Sequence, residues 1–400
     1  MNHSLSNKQK IKTDRVCTLM ITHSCNLNCI YCFEKHKSNK KMSFETAKKI
    51  LEKEFEQYAL TAQKEYRLAI ELFGGEPLTN FDLIKNIYEW VVEKIKPSFN
   101  YIFQITTNGT LLNEDIKHWL RERKKYFRLV ISVDGTESMQ EQNRGCQLKE
   151  LPITFVKETW PDSYFKLTIS PDTLSHYADG VISLYEKGYR IASSLAEGQT
   201  WNKEDAFTYK KQLERISEYF LSHTDKEPEH PFNFLFTEYL EPRIHDQIPR
   251  KNCGVGTTIA MYDTNGIVYP CHLFLPMVHG NINVLEEIKD VDWNVSVNLV
   301  DDECKQCPCI KICKTCYGYN YSQRGSINNR DKRMCVLRLI EAQSICEFQI
   351  KYFTNKKELS THELLSLKGS LACYKDICHL YIDNNGKIKK KDSPSFSYTH

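Results

Sequence analysis

The stretch THSCNLNCIYCFEKH, residues 22–36, places Cys25, Cys29 and Cys32 within a few positions of one another. A disulfide joins two thiols and a closed zinc site takes four ligands, so a set of three cysteines fits neither. Three cysteines spaced C-x3-C-x2-C can hold three irons of a [4Fe–4S] cube and leave the fourth iron without a protein ligand. The stretch therefore predicts an iron–sulfur site with one position open for another molecule.

The sequence around this stretch alternates between β-branched or aromatic runs and amphipathic segments. Strands are predicted at 16–22, 67–73, 101–107, 128–133, 165–170 and 189–194. Helices are predicted at 43–60, with Ser43 as the N-cap, and at 81–95, 113–122, 175–186 and 203–222. This order predicts an α/β fold, a partial (β/α)6 barrel of the TIM type with a parallel sheet. The cysteine stretch follows the first strand, where such folds bind ligands.

Composition limits the partners and the compartment. The chain of 400 residues is 41% hydrophobic and carries a net charge of +3, so we expect a large core and neither nucleic acid nor a membrane as partner. The N-terminus has no apolar segment typical of a signal peptide, which predicts a cytoplasmic protein. In that compartment sixteen cysteines are better explained by metal binding or catalysis than by disulfides.

A second group of cysteines begins at Cys253, where the strand–helix alternation stops. Cys253 and Cys271 precede a C-x2-C-x5-C-x2-C run, and Cys335 follows it; the run is Cys304, Cys307, Cys313 and Cys316. The segment MYDTNGIVYPC, residues 261–271, predicts a β-hairpin around an Asn-Gly turn. The region predicts a second domain held by metal. Structural zinc is the alternative to iron–sulfur, because zinc ribbons also use C-x2-C pairs.

Five segments follow from these patterns. They are a tail at 1–14, the barrel at 15–222, a connector rich in charge and proline at 223–252, the cysteine-rich domain at 253–346, and a helix with a polar tail at 347–400. The cysteines outside the motifs are predicted to be buried apolar residues; they are Cys17, Cys146, Cys346, Cys373 and Cys378.

The chain resembles the radical S-adenosylmethionine (SAM) superfamily. The signature of that family is the C-x3-C-x2-C spacing with an aromatic residue before the third cysteine, as Tyr31 stands before Cys32. The resemblance covers about residues 15–200 and implies that the methionyl group of SAM binds the open iron. It further implies that the cluster held by the three cysteines cleaves SAM reductively to a 5′-deoxyadenosyl radical, and that this radical abstracts hydrogen from a substrate.

The same resemblance implies cofactor contacts at the following strand ends. The motif GGEP at 74–77 would approach the SAM ammonium, and SVDG at 132–135 with Arg144 would hold the ribose and carboxylate regions. The motif TTNG at 106–109 ends the third strand. The implied cofactor-binding residues are Tyr31, Phe33, Gly74, Gly75, Glu76, Pro77, Asn108, Ser132, Asp134 and Arg144.

The cysteine-rich region resembles the SPASM domain, which binds two auxiliary [4Fe–4S] clusters in many peptide-modifying radical enzymes. By position, Cys253, Cys271 and Cys316 would hold the cluster nearer the barrel. The distal cluster would be held by Cys304, Cys307, Cys313 and Cys335. The first set is one ligand short, so either an unidentified residue completes it or one of its irons is open to a substrate thiolate. The family usually has three residues before Cys316, and the additional Cys309 could replace a neighbouring ligand.

SPASM enzymes modify ribosomally made peptides or proteins, so the leading expectation is a peptide maturase that forms a thioether or another crosslink. The sulfatase-maturing branch, which makes formylglycine, places an aspartate after the hairpin cysteine, whereas this chain has His272. That branch and a catalytically inactive, zinc-stabilised peptide-binding scaffold are the alternatives. The expected partners are a precursor peptide, an external electron donor and, because few residues precede the first strand, a separate leader-recognition protein.

Overall fold

The computed structural model of the chain describes residues 12–61, 66–95, 99–234, 236, 240, 253–295, 299–383, 385 and 387–391. Its strands are β1 Lys12–Thr22, β2 Tyr66–Gly74, β3 Tyr101–Thr107, β4 Phe127–Ile131, β5 Phe165–Ile169, β6 Ile191–Leu195, β7 Ile259–Tyr262, β8 Val268–Tyr269, β9 Leu380–Ile382 and β10 Ile388–Lys390. Its α-helices are α1 Phe44–Thr61, α2 Phe81–Lys94, α3 Glu114–Glu122, α4 Glu137–Arg144, α5 Ile153–Thr159, α6 Tyr177–Glu186, α7 Lys203–Ser222, α8 Pro276–His279, α9 Val284–Glu287, α10 Asp302–Lys305, α11 Tyr317–Arg324, α12 Lys332–Thr354 and α13 Thr361–Ile377.

The described residues fall into two compact units. The first unit takes in residues up to 132, 145–163 and 254–293, and its sheet has the order β4-β3-β2-β1-β7-β8. Strands β1 to β4 are mutually parallel, which confirms the α/β prediction. The predicted hairpin is also present, as β7 and β8, and β7 pairs in parallel with β1. The sequence did not indicate that the hairpin extends this sheet.

The centre of this sheet is buried on both faces, as a parallel sheet covered by helices requires. In β1, Leu19, Met20 and Ile21 are fully buried, so apolar side chains point to both sides of the strand. The predicted cap of α1 is confirmed, because the Ser43 hydroxyl accepts a hydrogen bond of 3.0 Å from the Thr46 N–H. Strand β1 therefore ends within a buried sheet, and the cysteine loop begins at its end.

The second unit takes in residues 133–144, 164–253 and 294 onward. Strands β5 and β6 pair in parallel as a separate two-stranded sheet, which differs from one continuous predicted barrel sheet. Beyond the end of β4, Val133 donates a single hydrogen bond of 2.7 Å to Lys166 of β5. A single bond of this kind does not make a pair of strands.

Three parts of the chain differ from the expectation. Helices α4 and α5 were not predicted. The segment at 347–400 contains a second long helix, α13, and the antiparallel strands β9 and β10, so the prediction of one helix and a tail was wrong. Most of the predicted connector, residues 241–252, lies outside the described residues.

Across the described residues, none of the helices has the length and apolar character needed to cross a membrane.

Candidate functional site

The three cysteines of the opening stretch lie in the loop that follows β1. Cys25, Cys29 and Cys32 are all partly exposed, so their sulfur atoms are not sealed within the core. The loop is folded on itself, since the Cys32 N–H donates to the Cys29 carbonyl over 3.1 Å. Its start is fixed by Asn80, whose side-chain amide donates 2.9 Å to the Ile21 carbonyl.

The motif GGEP after β2 lies against the backbone of this loop. Gly75 donates 3.1 Å to the Thr22 carbonyl, and Glu76 donates 2.8 Å to the Ser24 carbonyl. A Cβ added at Gly75 would stand 2.5 Å from the Ser24 oxygen and 2.9 Å from the Cys25 Cβ. Only glycine permits this approach. The glycine that the resemblance assigns to a cofactor contact thus also shapes the cysteine loop.

The Glu76 carboxylate joins the ends of two strands. It is buried and accepts hydrogen bonds of 3.0 Å from the Leu78 N–H, 2.7 Å from the Thr107 hydroxyl and 2.8 Å from the Asn108 N–H. Three donors offset the cost of burying a negative charge. The carboxylate therefore holds the GGEP and TTNG motifs together.

Asn26 connects the cysteine loop to the same region. Its side-chain oxygen accepts 2.9 Å from the Asn108 amide, and its own amide donates 2.7 Å to the Thr110 hydroxyl. Sequence reasoning singled out Asn108 and missed Asn26, although Asn26 directly follows the first cysteine. The ends of β1, β2 and β3 thus form one hydrogen-bonded site in the first unit.

A lysine lies close to the thiols of the cysteine loop. Lys37 donates 3.2 Å to the Leu27 carbonyl. Burial acts to lower the pKa of Lys37, but the Cys32 and Cys25 sulfurs outweigh it and the pKa is raised. Burial raises the pKa of Cys25, and Lys37 opposes that rise. A cation that offsets thiolate charge is what a cysteine-ligated iron site requires.

Glu34 is a buried carboxyl group beside the same loop. Burial raises its pKa to about 8, with Lys37 opposing and Glu76 adding to the rise. Its Oε1 is enclosed and has no hydrogen-bond partner in the described structure. A buried acceptor without a donor indicates a place where a bound cationic or protonated group fits.

His272, which directly follows the hairpin cysteine, lies between two aromatic rings of the first unit. The ring centroids of Phe33 and His272 are 5.2 Å apart, and those of Phe73 and His272 are 5.3 Å apart. Phe33 follows the third cysteine and Phe73 precedes the GGEP motif. The hairpin therefore presents His272 beside the loop, and Phe33, an expected cofactor residue, contacts it.

Ser132 and Arg144 belong to different units. In the first unit, Ser132 is buried and donates its N–H over 3.0 Å to the Thr107 carbonyl. In the second unit, Arg144 donates 3.0 and 3.1 Å to the two carboxylate oxygens of the fully buried Asp134. Two of the Arg144 donors are thus used by an ion pair that the sequence did not indicate, and the role of Arg144 toward SAM stays a prediction.

The four cysteines expected to hold the distal auxiliary cluster come together in the second unit. Cys304 lies on α10, Cys335 on α12, and the Cys307 N–H donates 3.0 Å to the Cys304 carbonyl. The Arg330 guanidinium is buried and donates to the Cys313 sulfur. Burial raises the pKa of Cys304, Cys313 and Cys335, and the charge of Arg330 opposes that rise. The pKa of Cys307 is lowered, first by Cys309 and also by Arg330.

The Nε of Arg330 is enclosed and has no hydrogen-bond partner among the described residues. Converging thiols with a buried cation and an unused donor fit a sulfide-containing cluster, since cluster sulfides accept hydrogen bonds. No three or more His, Cys, Asp or Glu side chains of the described residues are arranged to hold a single metal ion.

The other cysteines are placed as follows. Cys271 belongs to the first unit, whereas Cys253 and Cys316 belong to the second, and their ligand set stays a prediction. The Cys309 thiol is hydrogen-bonded to Cys307 and lowers the Cys307 pKa. Burial is confirmed for Cys17, Cys146, Cys346 and Cys373, but the prediction was wrong for Cys378, which is exposed.

Comparison with known proteins agrees with this site. A family model described as the Radical SAM superfamily matches residues 19–149, which include β1 to β4 and the motifs at their ends. The radical SAM cyclopropyl synthase TigE of Paramaledivibacter caminithermalis is 29% identical over 194 residues, 44% of this chain and 39% of TigE. A cysteine-type anaerobic sulfatase-maturating enzyme of Clostridium novyi is 22% identical over 337 residues, 73% of this chain and 84% of that enzyme.

The matches to TigE and to an uncharacterised protein of Methanocaldococcus jannaschii, 39% identical over 119 residues, span 39% and 38% of those two proteins. The activity and substrates of such relatives therefore do not transfer directly to this chain.

Two solved structures share the fold. The structure of anSMEcpe with bound AdoMet has a TM-score of 0.62 at 18% identity, covering 89% of this chain and 98% of that one. Streptococcus suis SuiB bound to the precursor peptide SuiA has a TM-score of 0.50 at 18% identity, covering 81% and 76%. The fold, the first motif and the matched family model lead to one assignment: residues 19–149 match the Radical SAM superfamily, and the chain shares the fold of anSMEcpe and SuiB.

Proposed function

We propose that the protein modifies a ribosomally synthesised peptide by radical chemistry, forming a thioether or another crosslink. The observation that carries the proposal is the close approach of Gly75 to the loop of Cys25, Cys29 and Cys32, because it packs the GGEP motif against the loop that carries the three thiols. The peptide as substrate class is supported by the structural likeness to SuiB, which was solved with its precursor peptide.

The residues of the site suit this chemistry. Cys25, Cys29 and Cys32 would hold the cluster, with Lys37 compensating their charge. When bound, the [4Fe–4S] cluster and SAM together supply a 5′-deoxyadenosyl radical that abstracts hydrogen from the substrate. The hydrogen bonds of Glu76 and Asn26 hold the strand ends in place before SAM binds. Binding therefore requires little further ordering of these residues.

His272 is the candidate proton acceptor for the peptide. Its ring is held by Phe33 and Phe73 beside the cysteine loop, and imidazole exchanges protons near neutral pH. Thioether formation needs a substrate thiol to lose its proton, because the thiolate is the nucleophilic form. We therefore propose that His272 takes up this proton. The one electron left over when the sulfur–carbon bond forms would pass to an auxiliary cluster of the cysteine-rich region.

The wider setting is part of the same proposal. We propose a cytoplasmic enzyme whose cysteine-rich region at 253–346 carries two auxiliary clusters, and which takes electrons from an external donor. Leader recognition by a separate protein remains part of the proposal. The runner-up reaction is formylglycine formation, since a sulfatase-maturating enzyme aligns over 73% of the chain.

Mass spectrometry of a precursor peptide encoded beside this gene tests the proposal. The peptide is incubated anaerobically with enzyme, SAM and reductant, with a sulfatase-derived cysteine peptide in parallel. A loss of two hydrogens from the precursor, located by fragmentation, supports a crosslink. An aldehyde on the sulfatase peptide alone, detected with a hydrazide reagent, supports formylglycine formation instead. A precursor that keeps its mass while SAM is cleaved contradicts the proposed substrate.

A further inference from the structure

Arg330 stands out among the charged residues because burial and contact place its positive charge among thiols. Only 5% of the residue is exposed, and it lies five positions before Cys335. A guanidinium stays charged when buried, so it needs negative partners. The partners that the structure gives it are cysteine sulfurs, not carboxylates.

The geometry of the guanidinium points to a cluster as its partner. One terminal nitrogen donates to the Cys313 sulfur, and Nε is enclosed without a partner in the described structure. An unpaired buried donor is costly unless an acceptor is bound there. Arginine next to thiols alone would leave that cost unexplained, whereas a sulfide-bearing cluster would supply the acceptor.

The charge of Arg330 reaches the whole ligand set. Its guanidinium interacts electrostatically with the sulfur atoms of Cys304, Cys307, Cys313 and Cys335. One buried cation therefore faces all four expected ligands.

We propose that Arg330 sets the reduction potential of an iron–sulfur cluster held by Cys304, Cys307, Cys313 and Cys335. A cluster with four thiolates is negatively charged, and uptake of one electron makes it more negative. A fixed buried cation and hydrogen bonds to sulfur stabilise the reduced state more than the oxidised state, which raises the potential. Arg330 is thus a positioning residue that makes the cluster a better electron acceptor. This inference rests on the proposed distal cluster, but not on the identity of the peptide.

The test is a redox titration of the full-length chain, reduced stepwise with dithionite and followed by electron paramagnetic resonance. All variants carry alanine at Cys25, Cys29, Cys32 and Cys271. The distal set is then the only expected cluster site with all its ligands, so its signal is observed alone. Arg330→Gln removes the charge, and Arg330→Lys keeps the charge but loses the planar fork. Arg333→Gln is the matched control, because Arg333 is half-exposed and pairs with Asp331.

We expect Arg330→Gln to lower the ratio of reduced to oxidised cluster at least tenfold at a fixed potential, which corresponds to a shift of about 59 mV for one electron. Arg330→Lys should give a smaller shift in the same direction, and Arg333→Gln none. If Arg330→Gln does not assemble a cluster, the reduction potential measured for Arg330→Lys alone tests the inference.

A cluster-containing Arg330 variant that titrates like Arg333→Gln overturns the inference, and so does the loss of the cluster in both variants, since Arg330 would then serve assembly. A different result concerns the proposed function. If Cys304→Ala and Cys313→Ala leave the iron content unchanged, the distal cluster itself is absent.

Discussion

The Asn108 side-chain amide donates to the Asn26 side-chain oxygen over 2.9 Å and so ties the loop after β3 to the cysteine loop. Asn108 is buried and Asn26 is exposed, so Asn26→Ala leaves a buried amide without its partner. Asn108→Ala also removes the acceptor of the Thr110 N–H and hydroxyl. We expect Asn26→Ala and Asn108→Ala each to lower the free energy of unfolding by about 1–3 kcal/mol. The double variant should cost less than the sum, with a coupling of about 1 kcal/mol. Urea unfolding of the apoprotein measures this, and additive costs would show that the two side chains do not interact.

Gly75→Ala tests the close approach of the GGEP motif. The added Cβ would meet the Ser24 oxygen at 2.5 Å, and backbone cannot yield as a flexible side chain does. We expect the variant to lose the iron of the first cluster and SAM binding, while the auxiliary iron stays. Gly325→Ala is the comparison, since its Cβ would meet nothing within 4 Å, although its φ of +66° adds a conformational cost. Equal iron loss in both variants would remove the steric explanation.

The buried carboxyl group of Glu229, in the second unit, should make the stability of the protein depend on pH. Burial raises its pKa to about 7, and Ser193 and Tyr177 oppose the rise by hydrogen bonds. The folded state therefore binds more protons than the unfolded state between about pH 4.5 and 7, and the free energy of unfolding falls as pH rises through that window. The expected fall is on the order of 3 kcal/mol.

Glu229→Gln should flatten this dependence and stabilise the apoprotein above pH 7. The exposed Glu218→Gln on α7 is the control and should leave the pH profile unchanged. Urea unfolding from pH 5 to 8 measures all three proteins. Parallel profiles for wild type and Glu229→Gln would show that Glu229 is already ionised at pH 5.

His272→Phe separates packing from proton transfer. A phenyl ring keeps the contacts with Phe33 and Phe73 but accepts no proton. We expect SAM cleavage to continue and modified peptide to fall by 10²-fold or more, the usual range for losing a general base. The measured quantity is the ratio of peptide product to 5′-deoxyadenosine by chromatography and mass spectrometry. An unchanged ratio would exclude His272 as the proton acceptor.

The regular part of the fold was predictable because its signals are local. Strand β3 was predicted at 101–107 and is observed at Tyr101–Thr107, and α7 was predicted at its observed bounds. Helix α4 was missed since it lacks an apolar stripe. It buries Gln140, Asn143 and Arg144, which are satisfied by Asp134 rather than by hydrophobic packing. Helical periodicity of apolar residues cannot detect such a helix.

The parts of the candidate site that are short contiguous motifs could be predicted from the sequence. The cysteine motif and GGEP are contiguous, and the resemblance assigned them. Lys37 and Arg330 could not be recognised, because a lysine or arginine a few positions from a cysteine is common and only the folded chain shows whether it is buried against sulfur. The same holds for Asn26, whose partners lie more than eighty positions away.

The central claim is that Cys25, Cys29 and Cys32 hold the cluster that cleaves SAM. The most direct test replaces all three with alanine and measures 5′-deoxyadenosine after anaerobic reconstitution, reduction and addition of SAM, with iron content determined on the same samples. We predict that 5′-deoxyadenosine formation is abolished while the auxiliary iron remains. Continued formation of 5′-deoxyadenosine by the triple variant would contradict the account.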